Sequence, residues 1–178
     1  MLLISILTVS VILILTIIIL YNSLVKSRNL VQSAYADIDV NLMKRFQLVP
    51  NLVSITKQYA TYESNLLLEI VEKRTAQPTI GETAAIDGEV SRVLKTLQVT
   101  VENYPDLKAN HTFSKLMDDL GEIEDHLVYA RRFYNGTTRE YNTKTQSFPR
   151  NIIAKMFGFT SQPFYEVESS SQREVPVI

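Results

Sequence analysis

Residues 113–141 read FSKLMDDLGEIEDHLVYARRFYNGTTREY, and their apolar positions decide the fold class. Phe113, Leu116, Leu120, Ile123, Leu127, Ala130, Tyr134, Thr137 and Tyr141 fall on alternating three- and four-residue steps. Phe148 continues the series, with Lys144 as its one charged member. Such spacing lines one face of a helix with a heptad seam. A helix of about 40 residues, from Leu107 to Ser147, would reach about 60 Å. It cannot bury that seam against itself, so partner helices are required.

Toward the N-terminus the same pattern recurs through Ile86, Val90, Val93, Leu97, Val101 and Tyr104. Pro105 separates this helix from the next, with Asp106 placed to cap it. Further upstream, Leu24, Val31, Ala34, Ile38, Leu42 and Phe46 form another stripe. Pro50 is expected to break or kink that helix, because proline lacks an amide donor and disfavours a helical residue before it. A second helix then runs from about Asn51 to Arg74 on Leu52, Tyr59, Leu66 and Ile70, and Gln77 to Gly81 reads as the loop that ends it. Five glycines and six prolines in 178 residues are too few for a turn-rich β-fold. The expectation is an all-α protein whose bundle, residues 23–148, is an antiparallel up-and-down set of four long, coiled-coil-like helices. The alternative joins residues 24–74 into one kinked helix, giving a three-helix bundle or an intermolecular coiled coil.

The chain opens on an apolar run from Leu2 to Leu20, interrupted only by serines and threonines. Nineteen helical residues rise about 29 Å, close to the roughly 30 Å hydrocarbon core of a bilayer. A signal peptide is disfavoured, since no Lys or Arg precedes the run and it exceeds the usual apolar length. Residues 1–22 are therefore read as an uncleaved single transmembrane anchor. Lys26, Arg28, Lys44 and Arg45 follow the span, against Asp37 and Asp39. By the count of basic residues, the bundle is placed in the cytoplasm and the N-terminus outside.

If the helices alternate, the last one returns to the membrane. Residues 149–159 lie there: Arg150, Ile152, Ile153, Lys155, Met156, Phe157 and Phe159 make an apolar segment whose only charges are basic. It reads either as an interfacial segment resting on lipid or as a cap over the end of the bundle core. Residues 160–178 are polar and lack periodicity, and are expected to be a disordered tail.

Net charge is −1, so no strong field marks a nucleic-acid binder. Cysteine is absent, and the sequence carries no glycine-rich phosphate loop, HExxH or nucleophile elbow. His111 and His126 would stand about 22 Å apart along one helix, too far to share a metal. The sequence thus points to no enzyme, cofactor, metal or small-molecule substrate. Asp37, Asp39, Arg131, Arg132, Asn135, Arg139 and Asn142 lie beside core stripes and are read as interhelical register pairs, with Asp37 and Arg131 as the leading couple. The other reading of these residues is a polar face that docks another protein. Gly136 interrupts a helix where alanine would be more stable by about 1 kcal/mol, so a close helix or subunit contact is expected there.

Several motifs resemble those of the LemA family. Tyr21-Asn22-Ser23-Leu24-Val25, Asp37-Ile38-Asp39-Val40 and Val49-Pro50-Asn51-Leu52-Val53 are similar to its first half. Tyr104-Pro105-Asp106-Leu107-Lys108-Ala109-Asn110, Ala130-Arg131-Arg132-Phe133-Tyr134-Asn135, Arg139-Glu140-Tyr141-Asn142 and Gln146-Ser147-Phe148-Pro149 resemble its second. Ser27, Ser33 and the tail after Glu166 depart from the pattern. The resemblance implies a non-enzymatic bacterial protein of the cytoplasmic (inner) membrane, with one N-terminal helix and a four-helix domain. The exposed heptads, the single span and the membrane-proximal apolar segment suit a scaffold that self-associates as a homo-oligomer or recruits proteins; the alternative is an adaptor of a membrane-embedded zinc metalloprotease.

Overall fold

The computed structural model describes residues 1–59 and 79–166. They form α1 (Leu2–Tyr59), α2 (Ile80–Val101), α3 (Pro105–Lys108), α4 (His111–Gln146) and α5 (Arg150–Met156). The described residues are all-helical or irregular, with no strand among them. The N-terminal, apolar third of α1 is long and apolar enough to cross a membrane, and its most apolar window is wholly unburied.

Of the two outcomes expected at Pro50, the break does not occur: α1 passes through it to Tyr59, as the alternative of a single helix across this proline has it. Pro50 sits on an exposed face, while Val49 and Leu52 beside it are fully buried, so packing holds the helix together across the missing amide. The expected second helix from Asn51 is thus, as far as Tyr59, the end of α1. Its remainder lies outside the described residues, as does the tail from residue 167. The up-and-down order of four helices remains a proposal.

Helix ends follow local chemistry. Thr79 and Glu82 form a reciprocal cap at the start of α2: the Thr79 amide and hydroxyl donate to Glu82 Oε2 at 2.7 and 2.8 Å, and the Glu82 amide donates to Thr79 Oγ1 at 3.3 Å. The long last helix begins later than expected. Pro105 opens only the single turn of α3, and Asn110 caps α4, its Oδ1 accepting from the amides of Thr112 and Phe113 at 2.9 and 3.1 Å.

The chain divides into two compact units. The first comprises Met1–Ala36 and Arg132–Phe164. Its core holds Leu24, Val31 and Ala34 of α1, Tyr134 and Tyr141 of α4, and Ile153, Ala154 and Phe159. The second comprises Asp37–Arg131 and continues from Tyr165. There Leu52, Leu97, Val101, Leu107, Phe113 and Leu120 form one buried cluster, against which Leu48, Ile55, Leu94, Leu116 and Met117 pack. The seam of α4 is inward, except that Phe148 falls beyond the helix and is exposed.

Candidate functional site

Within the second unit, the buried stripe of α2 carries a carboxylate. Asp87 stands between Ala84 and Val90 at three-residue spacing and is 0% exposed. A bare buried charge would be costly, and here three side chains compensate it. Arg45, in the α1 stripe with Leu42 and Val49, places Nη1 2.8 Å from Oδ1. Arg131 of α4 donates from Nη2 to Oδ1 at 2.8 Å and pairs with Oδ2 at 2.7 Å. The Tyr165 hydroxyl donates to Oδ2 at 3.0 Å. Glu124, two turns before Arg131 on the same face of α4, lies 3.3 Å from Arg45 and 3.1 Å from Arg131, and Ser91 takes the second Arg45 nitrogen at 2.9 Å. Two guanidinium groups and two carboxylates balance.

Burial pushes the Asp87 carboxyl above its ordinary range, against the pull of Arg131, Arg45 and the Tyr165 hydroxyl. Burial also lowers Arg45. For Arg131 burial acts downward too, but the Asp87 and Glu124 carboxylates outweigh it and the net shift is upward. Both Asp87 oxygens are occupied by protein donors, so the cluster's chemistry is to hold α1, α2, α4 and Tyr165 in register. Among the described residues, no group of three or more His, Cys, Asp or Glu gathers as a metal site.

Of the residues singled out in sequence, only Arg131 joins this cluster, and its carboxylates are Asp87 and Glu124 instead of Asp37. Asp37 is exposed and Asp39 half-buried on α1. Arg132 and Arg139 are exposed on α4, and Asn135 is half-buried. Sequence reasoning missed Arg45, Asp87, Glu124 and Tyr165. The available signal was a charge at stripe spacing: Arg45 lies three residues after Leu42, and Asp87 three before Val90. Among the described residues, no atom outside its own helical turn lies within 4 Å of where a Cβ on Gly136 would stand, so none of them makes the close contact expected there.

In the first unit an extended strap, residues 160–164, runs along α4. The start of the sequence-predicted tail is therefore ordered. The Asn142 side chain donates to the Gln162 carbonyl at 2.9 Å and accepts from the Gln162 amide at 2.8 Å. The Tyr134 hydroxyl donates to the Pro163 carbonyl at 2.8 Å. Ahead of the strap, α5 turns Ile153 and Ala154 inward. Gly158, at φ +71°, closes it, and the Phe159 amide donates to the Ala154 carbonyl at 2.9 Å. That reversal buries Phe159 between Tyr21, at a ring-centroid distance of 5.7 Å, and the Arg28 guanidinium, 5.1 Å above its ring. Of the expected membrane-surface set, Ile153 and Phe159 are thus core residues. Ile152, Lys155, Met156 and Phe157 are exposed, and Arg150 is half-buried.

These features define a helical protein whose interior is pinned by a buried ion cluster and whose first helix is long and apolar enough to cross a membrane. The chain belongs to the LemA family, whose sequence profile matches residues 34–178. Its relatives include the magnetosome proteins MamQ 2 of Paramagnetospirillum magneticum, 25% identical, and MamQ of Magnetospirillum gryphiswaldense, 23% identical. Each alignment covers 92% of this chain and 70% of the relative. Protein LemA of Metamycoplasma hominis is 22% identical over 86% of this chain and 72% of its own length.

Proposed function

We propose that this protein is a non-enzymatic, membrane-anchored helical scaffold that self-associates or recruits other proteins at the bacterial cytoplasmic membrane. The observation that carries this reading is the continuity of α1. One helix has an unburied apolar start suited to lipid, and then Leu24, Val31 and Ala34 fully or almost fully buried in the first folded unit. No flexible linker intervenes between them, so that unit is held stiffly at the bilayer. Val40 and Met43, exposed at one-turn spacing on α1, offer an apolar surface for a partner. The space beside Gly136 accepts a second copy. The basic residues after the span place the domain in the cytoplasm.

Light scattering coupled to size exclusion of the full chain in mild detergent tests this. A defined oligomer is expected. A monomer that co-purifies with a membrane-embedded zinc metalloprotease would replace the scaffold by the adaptor reading.

A further inference from the structure

We propose that the outward face of α5, formed by Ile152 and Met156 with Phe157 and Phe148 at its ends, rests in the headgroup layer of the bilayer that α1 crosses. The inference rests on the anchor reading of α1. Helix α5 has already used its inward face, since Ile153 and Ala154 are buried. Its outward face should then be polar, yet Ile152 is 52% exposed, Met156 67%, Phe157 50% and Phe148 79%. Ile152 and Met156 are one turn apart and so share a side of the helix. Four large, exposed apolar residues this close in sequence are a feature of the kind that marks an interaction site.

The position of the patch identifies its occupant. Tyr21 directly follows the apolar run, where an aromatic side chain takes the membrane–water interface. The Phe157 ring packs edge-on against Tyr21 at 4.9 Å, which holds the end of α5 at the level where the span leaves the hydrocarbon. Charge agrees with lipid. Residues 148–159 contain no Asp or Glu, and their charged members are Arg150 and Lys155, suited to anionic headgroups. A second copy of the chain would also cover apolar surface, but nothing ties it to the depth that Tyr21 sets.

The sequence has no cysteine, which allows single-site labelling of the full chain. Ile152→Cys, Met156→Cys, Leu13→Cys and Val99→Cys are each labelled with an environment-sensitive NBD probe. All four native residues are exposed, so the fold tolerates the changes. The proteins are placed in vesicles of phosphatidylethanolamine and phosphatidylglycerol. Probes at 152 and 156 are expected to emit to the blue of the probe at 99, to be quenched by lipids carrying a shallow nitroxide, and to resist aqueous iodide. If the probe at 13 is lipid-shielded while those at 152 and 156 behave like that at 99, the anchor stands and the docking is wrong. Probes at 152 and 156 that resist iodide but ignore lipid nitroxide would show a protein covering the face and overturn the proposal. A probe at 13 open to iodide would defeat the anchor reading itself, and the docking with it.

Discussion

Helix α4 is held in two different ways along its length. In the unit of Asp37–Arg131, its Glu124 and Arg131 belong to a network of charges centred on Asp87. In the unit of Arg132–Phe164, its Tyr134 and Asn142 grip the strap through neutral hydrogen bonds to backbone. The two solutions fail differently. A charge network has no spare member, because removing one ion strands its partners in a low-dielectric interior. A neutral bond to backbone loses only itself and the group it served.

The largest effect should follow Asp87→Ala, which leaves Arg45 and Arg131 facing each other. A loss of about 3–5 kcal/mol is expected in urea unfolding. A cycle pairing Asp87→Ala with Arg131→Gln should be strongly non-additive, while Asp37→Asn, on the exposed face, should change stability little. Equal losses from Asp37 and Asp87 would erase the contrast. Asn142→Leu should cost less, about 1–3 kcal/mol, by depriving the Gln162 amide and carbonyl of their partner. Faster amide exchange confined to residues 160–164 would show that the damage stays local.

The smallest effect is an acid one. The Thr79 amide and hydroxyl hold the Glu82 carboxylate below its ordinary value of 4.5. A lowered carboxylate contributes stability above its unfolded pKa, and that contribution is lost as pH falls through the folded value. Titration followed by NMR should therefore loosen residues 79–83 in acid. The Gln162 amide, bound to a neutral side chain, should keep its shift.

Apolar periodicity was legible from sequence because each contributing residue reports on its own position. Leu24, Val31, Ala34, Ile38, Leu42 and Phe46 are all buried on α1, as are Phe113, Leu120, Leu127, Tyr134 and Tyr141 on α4. The ion cluster was not legible. Asp87 meets Arg45 and Arg131 across 42 and 44 positions, and Tyr165 across 78, separations that leave no periodic trace. Charge beside a stripe drew attention to Asp37, whereas the informative charges replaced members of a stripe. Pro50 left break and continuation both open for a related reason: its local preference is real, and only the burial of Val49 and Leu52 outweighs it. The strap escaped notice because Asn142 recognises the backbone of Gln162, which every residue possesses.

The scatter of the Asp87 partners also sets a timetable for biosynthesis. Arg45 leaves the ribosome early and Tyr165 late, and at roughly 5–20 residues per second the gap is on the order of ten seconds. The apolar start of α1 is available for membrane insertion throughout that interval, while the cluster is still incomplete. Translation that stops before codon 165 yields a chain that keeps its long apolar helix yet lacks the hydroxyl that completes its interior.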